Sequence, residues 1–218
     1  GIVVHIVKKY HEKLLICYER IDRMYDIVII GAGPAGSTLA RLLDKKYKIL
    51  IIDKRNLDSD YDYKRSKCCG GLLSPQAQYM LSKLNLTLPK DILVNPQMFT
   101  VQTLDFDNEL KANYQRCYLN FHREKFDRWL VSLIPDNVEL KFNCIYKSHS
   151  VQNDNIYVSF VDNEKHLHTI KTRMLIGADG ANSIVRNNTF GLSSYPLKYT
   201  SIQKWYKVNF DIKNYIAI

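Results

Sequence analysis

Residues 25–36 of this chain read YDIVIIGAGPAG, an apolar segment of strand length followed by a glycine turn and the start of a helix. Parallel α/β folds use this order of elements to bind the pyrophosphate of a dinucleotide. Gly31 permits the tight turn, Gly33 lets the backbone approach the pyrophosphate, and Gly36 lets the helix pack closely on the strand. The positive N-terminus of that helix, predicted over residues 34–43, points at the phosphates. The sequence therefore predicts a nucleotide cofactor.

A second apolar segment, residues 48–52, ends at Asp53, which lies 22 residues after Gly31. An acidic residue at about this distance binds the ribose hydroxyls in dinucleotide-binding folds. A glycine pattern alone is weak evidence, and a glycine turn without a ligand is the alternative. The strand before the turn, the helix after it and the acid at the expected spacing favour the cofactor site.

The chain has 218 residues, with 31 Lys and Arg against 22 Asp and Glu, and a net charge of +9. The basic residues are scattered, and runs such as Lys8–Lys9 and Lys45–Lys46 are too short for a nucleic-acid patch. We expect no nucleic-acid partner, with contact to a membrane surface as a minor alternative. No apolar run approaches the roughly 20 residues of a membrane-spanning helix.

The cysteines and histidines show no ligand pattern. The five cysteines are odd in number and lack CxxC spacing, which favours reduced thiols and a cytoplasmic protein. The six histidines have no metal-ligand spacing, so no metal site is predicted.

Both ends of the chain are unusual. The chain starts with Gly1, and Met24 immediately precedes the first predicted strand. We expect residues 1–23 to be an upstream extension outside the fold, with a genuine helix over residues 7–21 as the alternative. The chain stops after a predicted strand over residues 205–210 without a closing helix, so we expect a truncated product.

The middle of the chain mixes helices with strands. Ser74 and Pro75 predict the N-cap and first turn of a helix that reaches about residue 84. Helical apolar spacing predicts a further helix over residues 121–131, and Pro135 follows it. Strands are predicted over residues 98–106, 110–119, 138–146, 156–161 and 166–176. This order indicates a nucleotide-binding half with antiparallel strands inserted between its pieces.

Residues 175–186, LIGADGANSIVR, again read as a strand, a tight turn and a short helix. By itself this turn could be one that Asp179 merely caps. Together with the glycine turn and the predicted helix that carries Arg123, it resembles the flavoprotein hydroxylase and reductase superfamily, whose members bind FAD. The resemblance implies that Arg123 approaches the cofactor and that the turn at Asp179 and Gly180 supports the flavin site.

Residues 67–75, KCCGGLLSP, narrow the match, because they resemble the Lys-x-Cys-Gly-Gly-Leu motif of the geranylgeranyl reductase family. Lys67 and Cys69 stand at the Lys and Cys positions, and the family's loop lies beside the flavin ring. Cys68 stands where relatives often carry proline. The resemblance runs from about residue 24 to residue 218. Relatives carry a later Gly-Asp motif that contacts the pyrophosphate and ribitol, and its absence here predicts weaker FAD binding.

Three shorter segments also resemble a member of this family: NPQ at residues 95–97, NYQR at 113–116 and SLIP at 132–135. The fold implied is α/β, an FAD/NAD(P)-binding Rossmann-like domain with an inserted antiparallel β-sheet substrate domain, truncated at the C-terminus. The FAD-binding domain is expected over residues 24–90 and 115–192, and the start of the substrate sheet over residues 91–114 and 193–218. The resemblance assigns these residues to the cofactor: Gly31, Gly33, Pro34, Ala35, Gly36, Asp53, Lys54, Cys69, Gly70, Gly71, Arg123, Ile145, Asp179 and Gly180.

The function implied is that of an FAD-dependent oxidoreductase that reduces carbon–carbon double bonds of an isoprenoid or related lipid. NAD(P)H or another reductant would be the electron donor. Cys69 is the candidate for assisting proton transfer or shaping the flavin site, or it is a small residue packed in a glycine loop. The aromatic residues of the inserted strands would cover an apolar substrate or pack in an ordinary core; they are Phe99, Phe106, Trp205 and Tyr206.

Three alternatives remain open. The first is an aromatic-ring monooxygenase that uses FAD. The second, from a different class, is a non-catalytic FAD-binding remnant or a binding protein for polyprenyl lipid carriers. The third, an NAD-linked dehydrogenase, is less favoured because the segment at residues 177–180 has no place in that scheme.

Overall fold

The computed structural model describes residues 24–57, 69–191, 197, 199–202, 204 and 215–217. The chain divides into two compact units. Unit 1 comprises Gly1–Asp60 and Asp127–Lys198, and unit 2 comprises Tyr61–Phe126 and Tyr199–Ile218. The predicted extension over residues 1–23, the alternative helix over residues 7–21 and the predicted strand over residues 205–210 lie outside the described residues. The domain limits expected from the sequence stay predictions.

The elements follow one another along the chain as alternating groups of strands and helices. In chain order they are β1 (Met24–Ile30), α1 (Pro34–Leu42), β2 (Ile49–Ile52), β3 (Leu72–Leu73), α2 (Pro75–Lys83), β4 (Thr100–Asp105), β5 (Leu110–Gln115), β6 (Leu119–Asn120), α3 (Arg123–Ser132), β7 (Val138–Lys141), β8 (Ile145–Gln152), β9 (Asn155–Val161), β10 (Leu167–Gly177), α4 (Ile184–Phe190) and β11 (Tyr215–Ala217).

Unit 1 is built on a six-stranded sheet in the order β7-β2-β1-β10-β9-β8. The first four of these strands are parallel, while β9 and β8 are antiparallel to their neighbours. The central strands β1 and β2 are almost continuously apolar, as expected of parallel strands buried on both faces. Because parallel strands share one carboxyl edge, the turns after β1, β2 and β10 meet there. This edge carries the predicted nucleotide site.

The core of unit 1 lies on both faces of this sheet. One cluster contains Val28, Leu50, Tyr146 and Val185, and the other contains Ile29, Ile51, Ala40 and Val131. The alternation along β1 places Val28 and Ile29 in opposite clusters, because successive side chains of a strand point to opposite faces.

Unit 2 contains a three-stranded sheet in the order β11-β4-β5 and a two-stranded sheet of β3 and β6. The predicted N-cap of α2 is confirmed, since the Ser74 hydroxyl accepts a hydrogen bond from the Ala77 amide at 3.3 Å. No helix in the part of the chain that the structure describes has the length and apolar character needed to cross a bilayer.

Two strands predicted as continuous are each two strands. The predicted strand over residues 110–119 is β5 and β6, which belong to different sheets of unit 2. The predicted strand over residues 138–146 is β7 and β8 at opposite edges of the unit 1 sheet. Asn143 lies between them with φ 55°, a left-handed conformation that interrupts a strand. The apolar pattern does not reveal this interruption, because both halves are partly buried.

Candidate functional site

The glycine turn after β1 is shaped by close approach of the protein's own backbone. Gly31 has φ +105°, and a Cβ atom there would lie 2.5 Å from the carbonyl oxygen of Ala178. The Ala178 amide donates to the carbonyl oxygen of Ile30 at 2.8 Å, which joins this turn to the one after β10. Gly31 is therefore required for the contact between two turns, in addition to the tight turn predicted from the sequence.

The start of α1 forms an open cradle. Gly33 is the N-cap residue in an extended conformation and has no side chain to cap the helix, and Pro34 is the first helical residue. Among the residues that the structure describes, a Cβ atom on Gly33 would come within 4 Å of Nη2 of Arg55 alone, at 3.9 Å. The first amides of an α-helix have no acceptor within the helix. An open backbone face at an uncapped helix start fits a pyrophosphate, which would accept hydrogen bonds from these amides.

Asp53 lies at the carboxyl end of β2 and is 5% exposed. Its Oδ2 atom accepts a hydrogen bond from the Ala32 amide at 2.7 Å, and its Oδ1 atom accepts one from the Arg55 amide at 2.8 Å. The carboxylate thus holds the glycine turn against the end of β2. Its predicted contact with the ribose stays a prediction, and that contact would add to these bonds within the protein.

Arg55 and Asp127 lie next to Asp53 and were not predicted from the sequence. The Arg55 guanidinium donates from Nη2 to Oδ2 of Asp53 at 3.0 Å and from Nη1 to Oδ2 of Asp127 at 2.7 Å. Asp127 is 1% exposed and belongs to α3. Burial alone would lower the pKa of Arg55, but the hydrogen bonds and charges of the two carboxylates raise it above its usual range. The guanidinium therefore stays charged.

The signal for this pair was weak in the sequence. Arg55 stands two residues after the ribose acid, and Asp127 lies on a helix predicted from apolar spacing. Nothing local connects residues that are 72 positions apart.

The turn after β10 uses Asp179 as a cap. Oδ2 of Asp179 accepts hydrogen bonds from the amides of Ile184 at 2.7 Å and Val185 at 3.2 Å, at the start of α4. The capping alternative left open by the sequence is therefore observed, and a role toward the flavin stays a prediction. Gly180 follows with φ +86°.

Two other predicted residues flank Asp53. Lys54 is exposed, and Ile145, at the start of β8, is 44% exposed. The Cys144 amide donates to the Asp53 carbonyl oxygen at 3.1 Å, which ties the chain before Ile145 to the end of β2. Both residues are thus close to the carboxyl edge of the sheet, and their contacts with a cofactor stay predictions.

Unit 2 brings together the predicted cysteine loop and Arg123. The Cys69 sulfur accepts a hydrogen bond from the Gly71 amide at 3.4 Å and lies 4.0 Å from Nη1 of Arg123. Gly71 has φ +67°, and a Cβ atom there would lie 2.6 Å from the carbonyl oxygen of Phe121. The loop therefore packs against the chain before α3, whereas a Cβ atom on Gly70 would have no neighbour within 4 Å among the residues that the structure describes.

The predicted aromatic cover is only partly described. Phe99 is 50% exposed and Phe106 is 84% exposed, while Trp205 and Tyr206 lie outside the described residues. Within the residues that the structure describes, no group of His, Cys, Asp and Glu side chains could hold a metal ion.

Known proteins resemble this chain in the region of the glycine turn and beyond it. The family model of an NAD(P)-binding Rossmann-like domain matches residues 29–57, which contain the glycine turn and Asp53. Protein CbrA of Shigella sonnei (strain Ss046) is 40% identical over 194 residues, or 89% of this chain and 54% of that protein. The chain is similar in sequence to protein CbrA. It spans about half the length of the curated CbrA proteins that it matches.

Solved structures confirm the predicted fold class. A geranylgeranyl bacteriochlorophyll reductase-like protein from Thermoplasma acidophilum superposes with a TM-score of 0.65 at 22% identity, over 80% of this chain and 44% of that one. The flavin-dependent monooxygenase PieE, solved with FAD and substrate, superposes with a TM-score of 0.57 at 17% identity, over 77% of this chain and 32% of that one. The chain therefore has the predicted α/β fold, which it shares with these two proteins, and its predicted resemblance to geranylgeranyl reductase-like proteins is confirmed.

Proposed function

We propose that this chain forms the FAD-binding part of an oxidoreductase that reduces carbon–carbon double bonds of an isoprenoid or related lipid. The observation that carries the proposal is the start of α1 at Gly33, an N-cap residue without a side chain that lies open among the described residues, beside Asp53 at the carboxyl edge of the sheet. Ligands of open α/β sheets bind at this edge. The fold shared with a geranylgeranyl bacteriochlorophyll reductase-like protein supports this class of reaction.

Unit 1 would bind the ADP half of the cofactor. The amides at the start of α1 would donate to the pyrophosphate, and the helix dipole would favour its negative charge. Asp53 would accept a hydrogen bond from the adenosine ribose while it holds the Ala32 amide at 2.7 Å. Because that bond orients the turn, Asp53 would contribute to pyrophosphate binding as well as to ribose binding.

Unit 2 carries the residue that we assign to proton transfer. When bound, reduced FAD supplies a hydride for one carbon of the double bond, and the other carbon needs a proton. We assign this proton to the thiol of Cys69. The Gly71 amide at 3.4 Å and the Arg123 guanidinium at 4.0 Å would stabilise the negative charge left on the sulfur.

The surface of unit 2 also suits an apolar substrate. Large apolar side chains are exposed on β5 and on the segments that flank β4, among them Phe99, Phe106 and Leu110. An isoprenoid chain presents only apolar surface, so contact with such side chains would remove both surfaces from water. This is the feature of unit 2 that favours a lipid over a polar substrate.

The test begins with FAD binding by the purified chain, followed by absorbance and by titration calorimetry. The reduced complex is then mixed without oxygen with a polyprenyl lipid, and the product is analysed by mass spectrometry. The expected product gains two hydrogen atoms per double bond. Failure to bind FAD would contradict the proposed cofactor site. FAD binding without any saturated product would contradict the proposed reaction.

The fold shared with PieE supports a second candidate, an FAD-dependent aromatic-ring monooxygenase. The two reactions differ in their need for oxygen. A product that forms only in air and gains one oxygen atom would favour the monooxygenase, whereas saturation in the absence of air would favour the reductase. NAD(P)H would be supplied as the reductant in both assays, with dithionite as the chemical control.

A further inference from the structure

Three charged side chains are linked by hydrogen bonds at the carboxyl end of β2. Arg55 donates to Asp53 through Nε at 3.1 Å and Nη2 at 3.0 Å, and to Asp127 through Nη1 at 2.7 Å. Both carboxylates are buried, with exposures of 5% and 1%. One positive and two negative side chains give this group a net charge of −1. The guanidinium therefore forms ion pairs with two acidic side chains at once.

The position of Arg55 in the fold makes these ion pairs relevant to which nucleotide the site binds. A basic residue near the end of the second strand of a dinucleotide-binding fold accommodates a 2′-phosphate on the adenosine ribose. Arg55 occupies such a position, and its Nη2 atom lies 3.9 Å from the place of a Cβ atom on Gly33. Three of its five N–H donors, however, already bond to carboxylates. A 2′-phosphate at this position would lie beside two carboxylates as well as the guanidinium, so the local negative charge would oppose its binding.

We propose that Asp127 is a positioning residue that determines nucleotide specificity. By holding Arg55 against Asp53, it makes the site select an adenosine ribose with a free 2′-hydroxyl over one that carries a 2′-phosphate. The proposal rests on the proposed nucleotide-binding function. It assigns to Asp127, on a helix 72 residues away from Arg55 along the chain, a role that neither the glycine turn nor the ribose acid has.

Two soluble probes isolate the 2′-position. ADP-ribose and 2′-phospho-ADP-ribose differ only in that phosphate, and neither contains a flavin or nicotinamide ring. We expect the unaltered chain to bind ADP-ribose at least about tenfold more tightly, because like charges in contact oppose binding. Titration calorimetry at one fixed ionic strength measures both dissociation constants and their ratio.

The decisive variant is Asp127→Asn, which is nearly isosteric and removes one of the two carboxylates from Arg55. We expect the preference for ADP-ribose to fall at least about fivefold, because Arg55 gains freedom to contact the phosphate. The double variant Arg55→Gln/Asp127→Asn should restore the preference. Asp127→Glu, which keeps a carboxylate opposite Arg55, should largely retain it.

A matched control separates this effect from net charge. Asp136→Asn also removes one negative charge from unit 1, but Asp136 is exposed in the connection before β7. It should leave the ratio of dissociation constants unchanged. A ratio that falls equally in Asp136→Asn and Asp127→Asn would overturn the proposal, as would a ratio unaltered by Asp127→Asn.

The outcomes also distinguish this inference from the proposed function. Tight FAD binding together with equal or tighter binding of the 2′-phosphate form by the unaltered chain would leave the function standing and remove the inference. This measurement needs no variant, so it decides even where Asp127→Asn does not fold. Absence of binding of FAD and of both probes would remove the two together.

Discussion

Gly36 lies so close to Gly31 that a Cβ atom at residue 36 would be 1.9 Å from the Gly31 carbonyl oxygen. Helix α1 can therefore pack on the end of β1 only where its third residue lacks a side chain. This contact sets the direction in which the start of α1 faces the carboxyl edge of the sheet. The position of the proposed pyrophosphate site therefore requires glycine at residue 36.

Replacing Gly36 by alanine should disrupt unit 1. The methyl group would overlap a backbone carbonyl that cannot move without shifting the turn, so we expect a loss of at least about 2 kcal/mol in the free energy of unfolding. Chemical denaturation followed by circular dichroism measures this change. An alanine variant as stable as the unaltered chain would contradict the packing described above.

The matched variant Gly33→Ala should separate binding from folding. Residue 33 has an ordinary φ of −73°, and among the described residues the added methyl group would approach Nη2 of Arg55 alone, at 3.9 Å, so stability should change by no more than about 0.5 kcal/mol. The methyl group would stand on the face where we place the pyrophosphate. We expect FAD affinity to fall roughly tenfold, which is about 1.4 kcal/mol. Unchanged affinity would place the cofactor elsewhere.

Cys69→Ala tests the assigned proton donor. A general acid typically accelerates its step by about 10²–10⁴-fold, so the rate of double-bond reduction should fall by at least about a hundredfold. FAD affinity should change little, because unit 1 carries the proposed ADP contacts. Cys117→Ala is the control, since Cys117 is an exposed thiol of the same unit. Equal rates for the two variants would leave Cys69 as a packing residue.

A partly buried group of hydrogen-bonded side chains makes the stability of unit 1 sensitive to pH. Tyr146 Oη and His149 Nδ1 are 2.6 Å apart, and the Asn188 amide donates to Oη at 3.3 Å. With Asn188 as the donor to Oη, the tyrosine proton is directed at Nδ1, which accepts it only while that nitrogen is unprotonated. Burial lowers the pKa of His149 below its usual 6.5.

The sign of the pH effect follows from that pKa. Below pH 6.5 the unfolded chain takes up a proton at residue 149 that the folded chain resists, so the free energy of unfolding should fall as the pH falls. His149→Gln should flatten this part of the profile. Parallel profiles for His149→Gln and the unaltered chain between pH 7 and pH 5 would contradict the prediction.

Asp179→Ala should weaken the start of α4. It removes an acceptor from the amides of Ile184 and Val185, while the N-cap Ser183 still accepts from the Arg186 amide, so we expect a loss of about 0.5–1 kcal/mol in the free energy of unfolding. Asp179→Asn keeps an acceptor oxygen and should cost less, because only the charge interaction with the helix start is lost. Thermal unfolding of the two variants measures the difference. If Asp179→Asn lost more stability than Asp179→Ala, the two hydrogen bonds to α4 would not be the main contribution of Asp179.

Local patterns predicted much of unit 1 and the start of one helix in unit 2. Apolar runs predicted β1 and β2, glycine spacing predicted the turn and α1, and Ser74 with Pro75 predicted the start of α2. These features depend on neighbouring residues, and a few positions of sequence suffice to show them. The breaks at Asn143 and after Gln115 were missed, because one half of each predicted strand pairs with a sequence neighbour and the other half pairs with a strand far along the chain.

The sequence by itself determined the order of strand, glycine turn and helix, and with it the position of Asp53 at the carboxyl edge. Backbone sterics and side-chain periodicity act over a few residues and can be read from them. Only the tertiary structure decided what the acid does there. Asp53 bonds to Ala32 and shares Arg55 with Asp127, because α3 brings to β2 a carboxylate that is 72 residues from Arg55 along the chain. Pairing between such distant charges depends on folded packing, which no local pattern encodes.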